Sequence, residues 1–198
     1  MIFKHAFNRD KWSDQETNSR LTALPLEIKQ KALRYKKWQD RQACIISREL
    51  LQASLQEFYG NNDDYLARVQ VDRFGKPFLN EEINFSISHT EELVVCAVAK
   101  DVIGVDVEKI REVEFIDFQQ FFTTQEWNEI QCSEEPKHTF YRKWTIKEAV
   151  LKADGRGLSV PLNKVAISNH SANLDGKFFH VETRFLSEDH LCAVAYQS

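Results

Sequence analysis

Two acidic residues set two positions apart are the first hint of chemistry in this chain. The stretch Ile103-Gly104-Val105-Asp106-Val107-Glu108 alternates with period two, the pattern of a strand. Ile103, Val105 and Val107 share one face; Gly104, Asp106 and Glu108 share the other. At ~3.3 Å per residue the two carboxylates stand about 7 Å apart along the backbone and point the same way. They can converge on one divalent cation. Magnesium takes oxygen ligands and is commonly held by one or two carboxylates plus substrate phosphates. Gly104, with no side chain, would let a ligand approach the strand closely. An outward-facing acidic strand would show the same pattern, so the strand alone does not decide.

Further groups lie within reach of the same chemistry. In Trp144-Thr145-Ile146-Lys147-Glu148-Ala149-Val150-Leu151-Lys152, residues Trp144, Glu148 and Lys152 recur every four positions and fall on one helical stripe. Glu148 would be a third carboxylate and Lys152 a phosphate contact. An ordinary surface Glu–Lys pair explains the same spacing. Phe85-Ser86-Ile87-Ser88-His89-Thr90 ends a strand in a polar cluster, where His89 could donate to a phosphate or take a proton. A surface histidine is the plainer reading. The basic run Lys29, Lys31, Arg34, Lys36, Lys37 and Arg41 cannot all share one helix face; Lys31, Arg34 and Arg41 are the expected stripe. Gly75-Lys76-Pro77 reads as a stiff turn.

The elements that must position these groups follow from periodicity and punctuation. A strand is expected near 1–11, a helix over 24–60, and strands at 68–72, 83–88, 93–99 and 102–108. Helices follow near 114–122, 124–131 and 137–153, the last ended by Gly155 and Gly157. Strands fill the remainder, with Asp175-Gly176 as a hairpin turn. The chain has 198 residues, 42% hydrophobic and 28% charged, as expected of a soluble globular protein. A formal net charge of -4 and a pI near 5.9 disfavour a general nucleic-acid binder, which carries a basic excess. No stretch approaches the ~20 apolar residues of a membrane helix. The N-terminus has neither an apolar signal core nor an Arg-rich amphipathic pattern, so a cytoplasmic protein is expected. Cys44, Cys96 and Cys192 sit in apolar runs, Cys132 in a polar one, and no CxxC spacing marks a zinc or redox site.

The chain also echoes itself. Tyr35-Lys36-Lys37-Trp38 through Ile45 parallels Tyr141-Arg142-Lys143-Trp144 through Leu151, and Val95-Cys96-Ala97-Val98-Ala99 parallels Leu191-Cys192-Ala193-Val194-Ala195. The offsets are near half the chain, and both pairs run helix before strand. This predicts an α+β fold of two similar α/β halves about a pseudo-twofold axis, 1–105 and 106–198, with a ligand cleft between them.

In this order and spacing the motifs resemble the Sfp-type 4'-phosphopantetheinyl transferases. The matching pieces are Gly75-Lys76-Pro77, Phe85 to Thr90, Gly104 to Glu108, Phe121-Phe122 with Glu126, Trp144 to Lys152, and Gly155-Arg156-Gly157-Leu158. The helix around Asp40-Arg41 looks like the family's N-terminal cofactor-binding helix. The resemblance implies that Asp106, Glu108 and Glu148 hold Mg²⁺ against the coenzyme A pyrophosphate. It places Lys152, His89 and the neighbouring Ser88 at that pyrophosphate, Lys76 and Pro77 beside the adenine, and Lys31, with Arg34 or Arg41, at the 3'-phosphate. It implies attack by a serine of an apo acyl or peptidyl carrier protein, with Glu148 as general base and Glu126 as a lesser candidate. Departures from the family pattern are Gln120, where a basic residue is frequent, and Thr90, where Ser is frequent.

Three functions are therefore expected to compete: the transferase, a non-catalytic coenzyme A or nucleotide-binding module of the same fold, and a nucleic-acid binder using the basic stretch 29–41 with Tyr35 and Trp38. The full set Asp106, Glu108, Glu148 and Lys152 favours the first. A monomer is expected, because the pseudo-dimer is internal to one chain. The segment Val113 to Phe118 would either line a pantetheine and carrier groove or pack in the core.

Overall fold

The computed structural model describes residues 1–79 and 82–197, less the side chains of Phe115 and Leu158. The expected roles of those two side chains lie outside the described residues. In the N-terminal half, β1 (Ile2–Phe7) is followed by α1 (Asp14–Thr22), α2 (Leu26–Arg34) and α3 (Trp38–Tyr59). A short hairpin of β2 (Gln70–Val71) and β3 (Pro77–Phe78) leads to β4 (Asn84–His89) and β5 (Leu93–Ala99). The C-terminal half opens with β6 (Val102–Lys109) and a 3-10 turn over Phe115–Phe121. It continues with α4 (Thr124–Gln131), α5 (Pro136–Asp154), β7 (Ala166–Ser168), β8 (Ser171–Leu174), β9 (Lys177–Ser187) and β10 (His190–Gln197).

The strand order shows the duplication better than the sequence echo does. The first sheet runs β1-β5-β4 and the second β6-β10-β9-β8-β7, all neighbours antiparallel. Each half thus begins with an outer strand, passes through helices, and returns as a hairpin whose last strand lies between the first strand and its own hairpin partner. The echoed segments Val95–Ala99 and Leu191–Ala195 lie in these two last strands. The position between residues 105 and 106 falls inside β6.

Where the structure differs from expectation, local physics accounts for it. The helix expected over 24–60 is two helices. The chain turns extended at Tyr35, whose carbonyl accepts a hydrogen bond from Arg41 Nη2 at 3.1 Å. Helix α1 was not expected, although Ser13 and Glu16 carry the spacing of an N-terminal cap; the Ser13 hydroxyl accepts from the Glu16 backbone N–H at 3.1 Å. The stretch at 114–122 is 3-10 rather than α-helical. Helix α5 begins on Pro136 and ends at Gly155, whose φ of 88° is left-handed, as caps of this kind require.

The halves meet on an apolar seam. Leu93, Val95, Ala97 and Ala99 of β5 pack against Ile103, Val105 and Val107 of β6 and Cys192 and Val194 of β10, all buried. Full burial of each large aliphatic contributes about 1.5–3 kcal/mol. The opposite face of β6 receives α5. A Cβ built on Gly104 would stand 2.0 Å from the Ala149 carbonyl oxygen and 2.3 Å from the Ala153 nitrogen. Gly104 therefore admits helix backbone, not a ligand as its position in the motif suggested.

Gly104→Ala must push α5 off the strand. Overpacking of this kind costs about 1–3 kcal/mol, so the midpoint of urea unfolding is expected to fall, read by tryptophan fluorescence.

Candidate active site

Because α5 lies against β6, its stripe of Glu148 and Lys152 comes beside Asp106 and Glu108. The four side chains line one cleft of about 510 Å³ with Ser88, His89, Thr90, Arg111 and Tyr141. Asp106 is 4% exposed. Its Oδ1 accepts from Lys152 Nζ at 2.7 Å and from the Ser88 hydroxyl at 2.8 Å. Lys152 Nζ also donates to Ser88 Oγ at 2.7 Å. Asp106 Oδ2 is buried with no hydrogen-bond partner among the described residues. A buried, unpartnered carboxylate oxygen is expensive, and a divalent cation at this oxygen would satisfy it.

Glu108 accepts from the indole Nε1 of Trp144 at 3.1 Å. That indole is held edge-on by Phe118 and Phe121 and stacked on Phe140. Val113 and Phe118, both half-buried, pack against this aromatic cluster, while Ile116 is exposed. Burial, and next the Asp106 charge, push the Glu108 carboxyl up to about 7, against the indole bond and Lys152. Burial and the Asp106 charge likewise raise Glu148. Two carboxyl groups held up by burial beside the Asp106 carboxylate fit a site that a cation would complete, and the oxygen donors present suit Mg²⁺. Their ligand atoms are nevertheless spread out. Among the described residues only Glu92, Asp189 and His190 bring one ligand atom each within 4.8 Å of one another. That trio is already threaded by Lys109, which pairs with both Glu92 and Asp189.

The other expected residues divide. His89 ends β4 in the same cleft; burial of its ring depresses its pKa, and Lys152 and Lys31 lower it further against the Thr90 backbone and Asp40. Its outer edge is exposed to solvent. Lys31 and Arg34 close α2, exposed and without ion pairs among the described residues. Arg41 is not on their helix, which removes the expected three-residue stripe. Its guanidinium is turned to the Tyr35 carbonyl, with Nε buried and without a hydrogen-bond partner among the described residues. Lys76 Nζ donates to the Ala153 carbonyl at 2.9 Å, and burial lowers its pKa. With its ammonium held there, its stem and Pro77 border a smaller pocket of about 270 Å³, shared with Phe74, Ile87, Gly155 and Gly157.

Sequence reasoning missed two groups. Arg48 lines the smaller pocket; its one signal was its place two helical turns beyond Arg41. Lys147, inside the best motif, is fully buried. It pairs with Glu126 at 2.9 Å and donates to the Leu162 carbonyl at 3.2 Å. Glu126 also caps α4 and accepts from the Ile167 backbone at 3.2 Å. Glu126 is thus a structural partner of Lys147 and not a base at the cleft.

The raised Glu108 carboxyl has a consequence for stability. A carboxyl whose pKa is higher folded than unfolded favours the folded state while protonated, and that contribution is lost as pH rises through about 7. In EDTA, the melting temperature is expected to fall between pH 5.5 and 8, roughly following this titration. Glu108→Gln is expected to flatten that fall in the same thermal scan.

Comparison with known proteins matches each half separately. Residues 102–195 match the model of the 4'-phosphopantetheinyl transferase superfamily, and residues 10–101 match that of the 4'-phosphopantetheinyl transferase N-terminal domain. The chain is 36% identical over 111 residues to 4'-phosphopantetheinyl transferase gsp of Aneurinibacillus migulanus, covering 55% of this chain and 46% of that one. It is 27% identical over 166 residues to 4'-phosphopantetheinyl transferase Sfp of Bacillus subtilis (strain 168), covering 81% and 74%. Against 4'-phosphopantetheinyl transferase HetI of a Nostoc species it is 34% identical over 95 residues, covering 43% and 40%. The match thus spans less than half of the first relative and of HetI, and about three quarters of Sfp. With the carboxylate cleft built where the two matched halves meet, the chain belongs to the 4'-phosphopantetheinyl transferase superfamily.

Proposed function

We propose that this protein transfers the 4'-phosphopantetheine arm of coenzyme A to a serine of an apo carrier protein, with Mg²⁺ held by Asp106, Glu108 and Glu148. The observation that carries the reading is the buried Asp106 Oδ2, unpartnered among the described residues, in a cleft shared with Glu108, Glu148 and Lys152. Mg²⁺ at these oxygens would neutralise pyrophosphate charge.

The chain's own groups supply the rest. Lys152, fixed at its base by α5, presents an ammonium to a pyrophosphate oxygen, where it stabilises charge that grows on the leaving group. His89 offers a ring N–H from the opposite wall. The carrier serine oxygen bonds to the β-phosphorus while the bond from that phosphorus to the bridging oxygen breaks, and 3',5'-ADP departs. The serine proton passes to Glu148, which faces the cleft beside Asp106 and Lys152. Catalysis here is positioning and charge stabilisation. The smaller pocket, with Lys76, Pro77 and the aromatic Phe74, suits the adenine; Lys31 and Arg34 suit the 3'-phosphate.

No helix among the described residues is long and apolar enough to cross a membrane. A cytoplasmic monomer acting on a soluble carrier is part of this proposal, and the acidic pI supports a protein rather than a nucleic-acid partner.

Intact mass of an apo carrier protein after incubation with coenzyme A and Mg²⁺ tests the reading. A gain of one phosphopantetheine group is expected, abolished by EDTA and by Asp106→Ala. Coenzyme A binding without mass gain on several unrelated carriers would make the chain a binding module.

A further inference from the structure

Asp106 is shared between two positive charges. Its Oδ1 is held by the Lys152 ammonium at 2.7 Å, and its Oδ2 is the oxygen left for a cation. The Ser88 hydroxyl closes a triangle, donating to Asp106 and accepting from Lys152 at 2.8 and 2.7 Å. The lysine is thereby kept against the carboxylate from β4 as well as from α5. Asp106 is 6% exposed at its side chain, Lys152 33%, so water screens the pair only in part.

We infer that Lys152 couples the divalent cation to the anionic co-substrate by weakening cation binding until a pyrophosphate arrives. This rests on the cation site proposed above and concerns its regulation. A cation on Oδ2 stands a few ångströms from an ammonium on the same carboxylate, and the two repel. Asp106, Glu108 and Glu148 carry three negative charges when ionised, and Lys152 cancels one. A pyrophosphate placed in the cleft supplies acceptors for both cations and turns their mutual repulsion into shared attraction to one anion. The cation therefore binds the protein alone weakly and the protein–coenzyme A complex strongly. By linkage, the cation strengthens coenzyme A binding by the same factor. The arrangement favours loading the cleft with both together.

The test is Mn²⁺ binding, read as free Mn²⁺ by electron spin resonance, with and without coenzyme A. Wild type is expected to gain roughly tenfold in Mn²⁺ affinity when coenzyme A is present, within the usual range of coupling between sites. Lys152→Met and Lys152→Gln, at a partly exposed position, are expected to bind Mn²⁺ alone roughly tenfold more tightly than wild type and to gain much less from coenzyme A. Lys152→Arg keeps the charge and is expected to bind Mn²⁺ alone as weakly as wild type. If both neutral variants bind Mn²⁺ alone no more tightly than wild type, while coenzyme A still strengthens wild-type binding, the coupling role of Lys152 is overturned and the cation site stands. If wild type binds no Mn²⁺ even with coenzyme A, the cation site itself is wrong and the coupling falls with it.

Discussion

Helix α5 lies so close on strand β6 that backbone fills the space a Cβ at residue 104 would need. Most of the candidate site follows from that contact. Asp106 and Glu108 share the strand face that the helix covers, and Glu148 and Lys152 lie on the helix face turned toward it. A helix further out would leave Lys152 unable to reach the Asp106 carboxylate at 2.7 Å. Because the contact is backbone on backbone, it is rigid, and the geometry of the carboxylates is inherited from the fold rather than from flexible loops.

Two further sets of interactions hold that contact in place. On the far side of β6, the apolar seam with β5 and β10 fixes the strand between the halves. Within α5, the buried Lys147–Glu126 pair and the Lys147 bond to the Leu162 carbonyl anchor the helix to α4 and to the chain beyond it. Removing one partner of such a pair leaves a buried charge uncompensated, at a cost of about 3–5 kcal/mol. The motif around residues 144–152 therefore carries two kinds of residue. Glu148 and Lys152 face the cleft, whereas Lys147 and the buried aliphatics face the core.

Much of this was legible in the sequence, and the parts that were not share a cause. The strand at 102–108, the helix ending at Gly155 and the hairpin at Asp175-Gly176 show strong local signals, and they form as expected; Asp175 and Gly176 both take positive φ, 51° and 83°. The halving of the chain was visible in two short echoes. What was hidden depends on contacts distant in sequence. The break after Arg34 leaves no mark in hydrophobic periodicity, so Arg41 was placed on the wrong stripe. Gly104 was read as an opening for a ligand because spacing cannot tell which neighbour fills the gap. Glu126 resembled a possible base, and only its contact with Lys147, 21 residues on, shows that its charge is already engaged.

The central claim is that a divalent cation binds at Asp106, Glu108 and Glu148. Anomalous scattering from crystals grown with Mn²⁺ and coenzyme A addresses it most directly. The account predicts one strong peak bonded to Asp106 Oδ2, with Glu108 and Glu148 beside it. A peak at Glu92, Asp189 and His190, with none at Asp106, would contradict it.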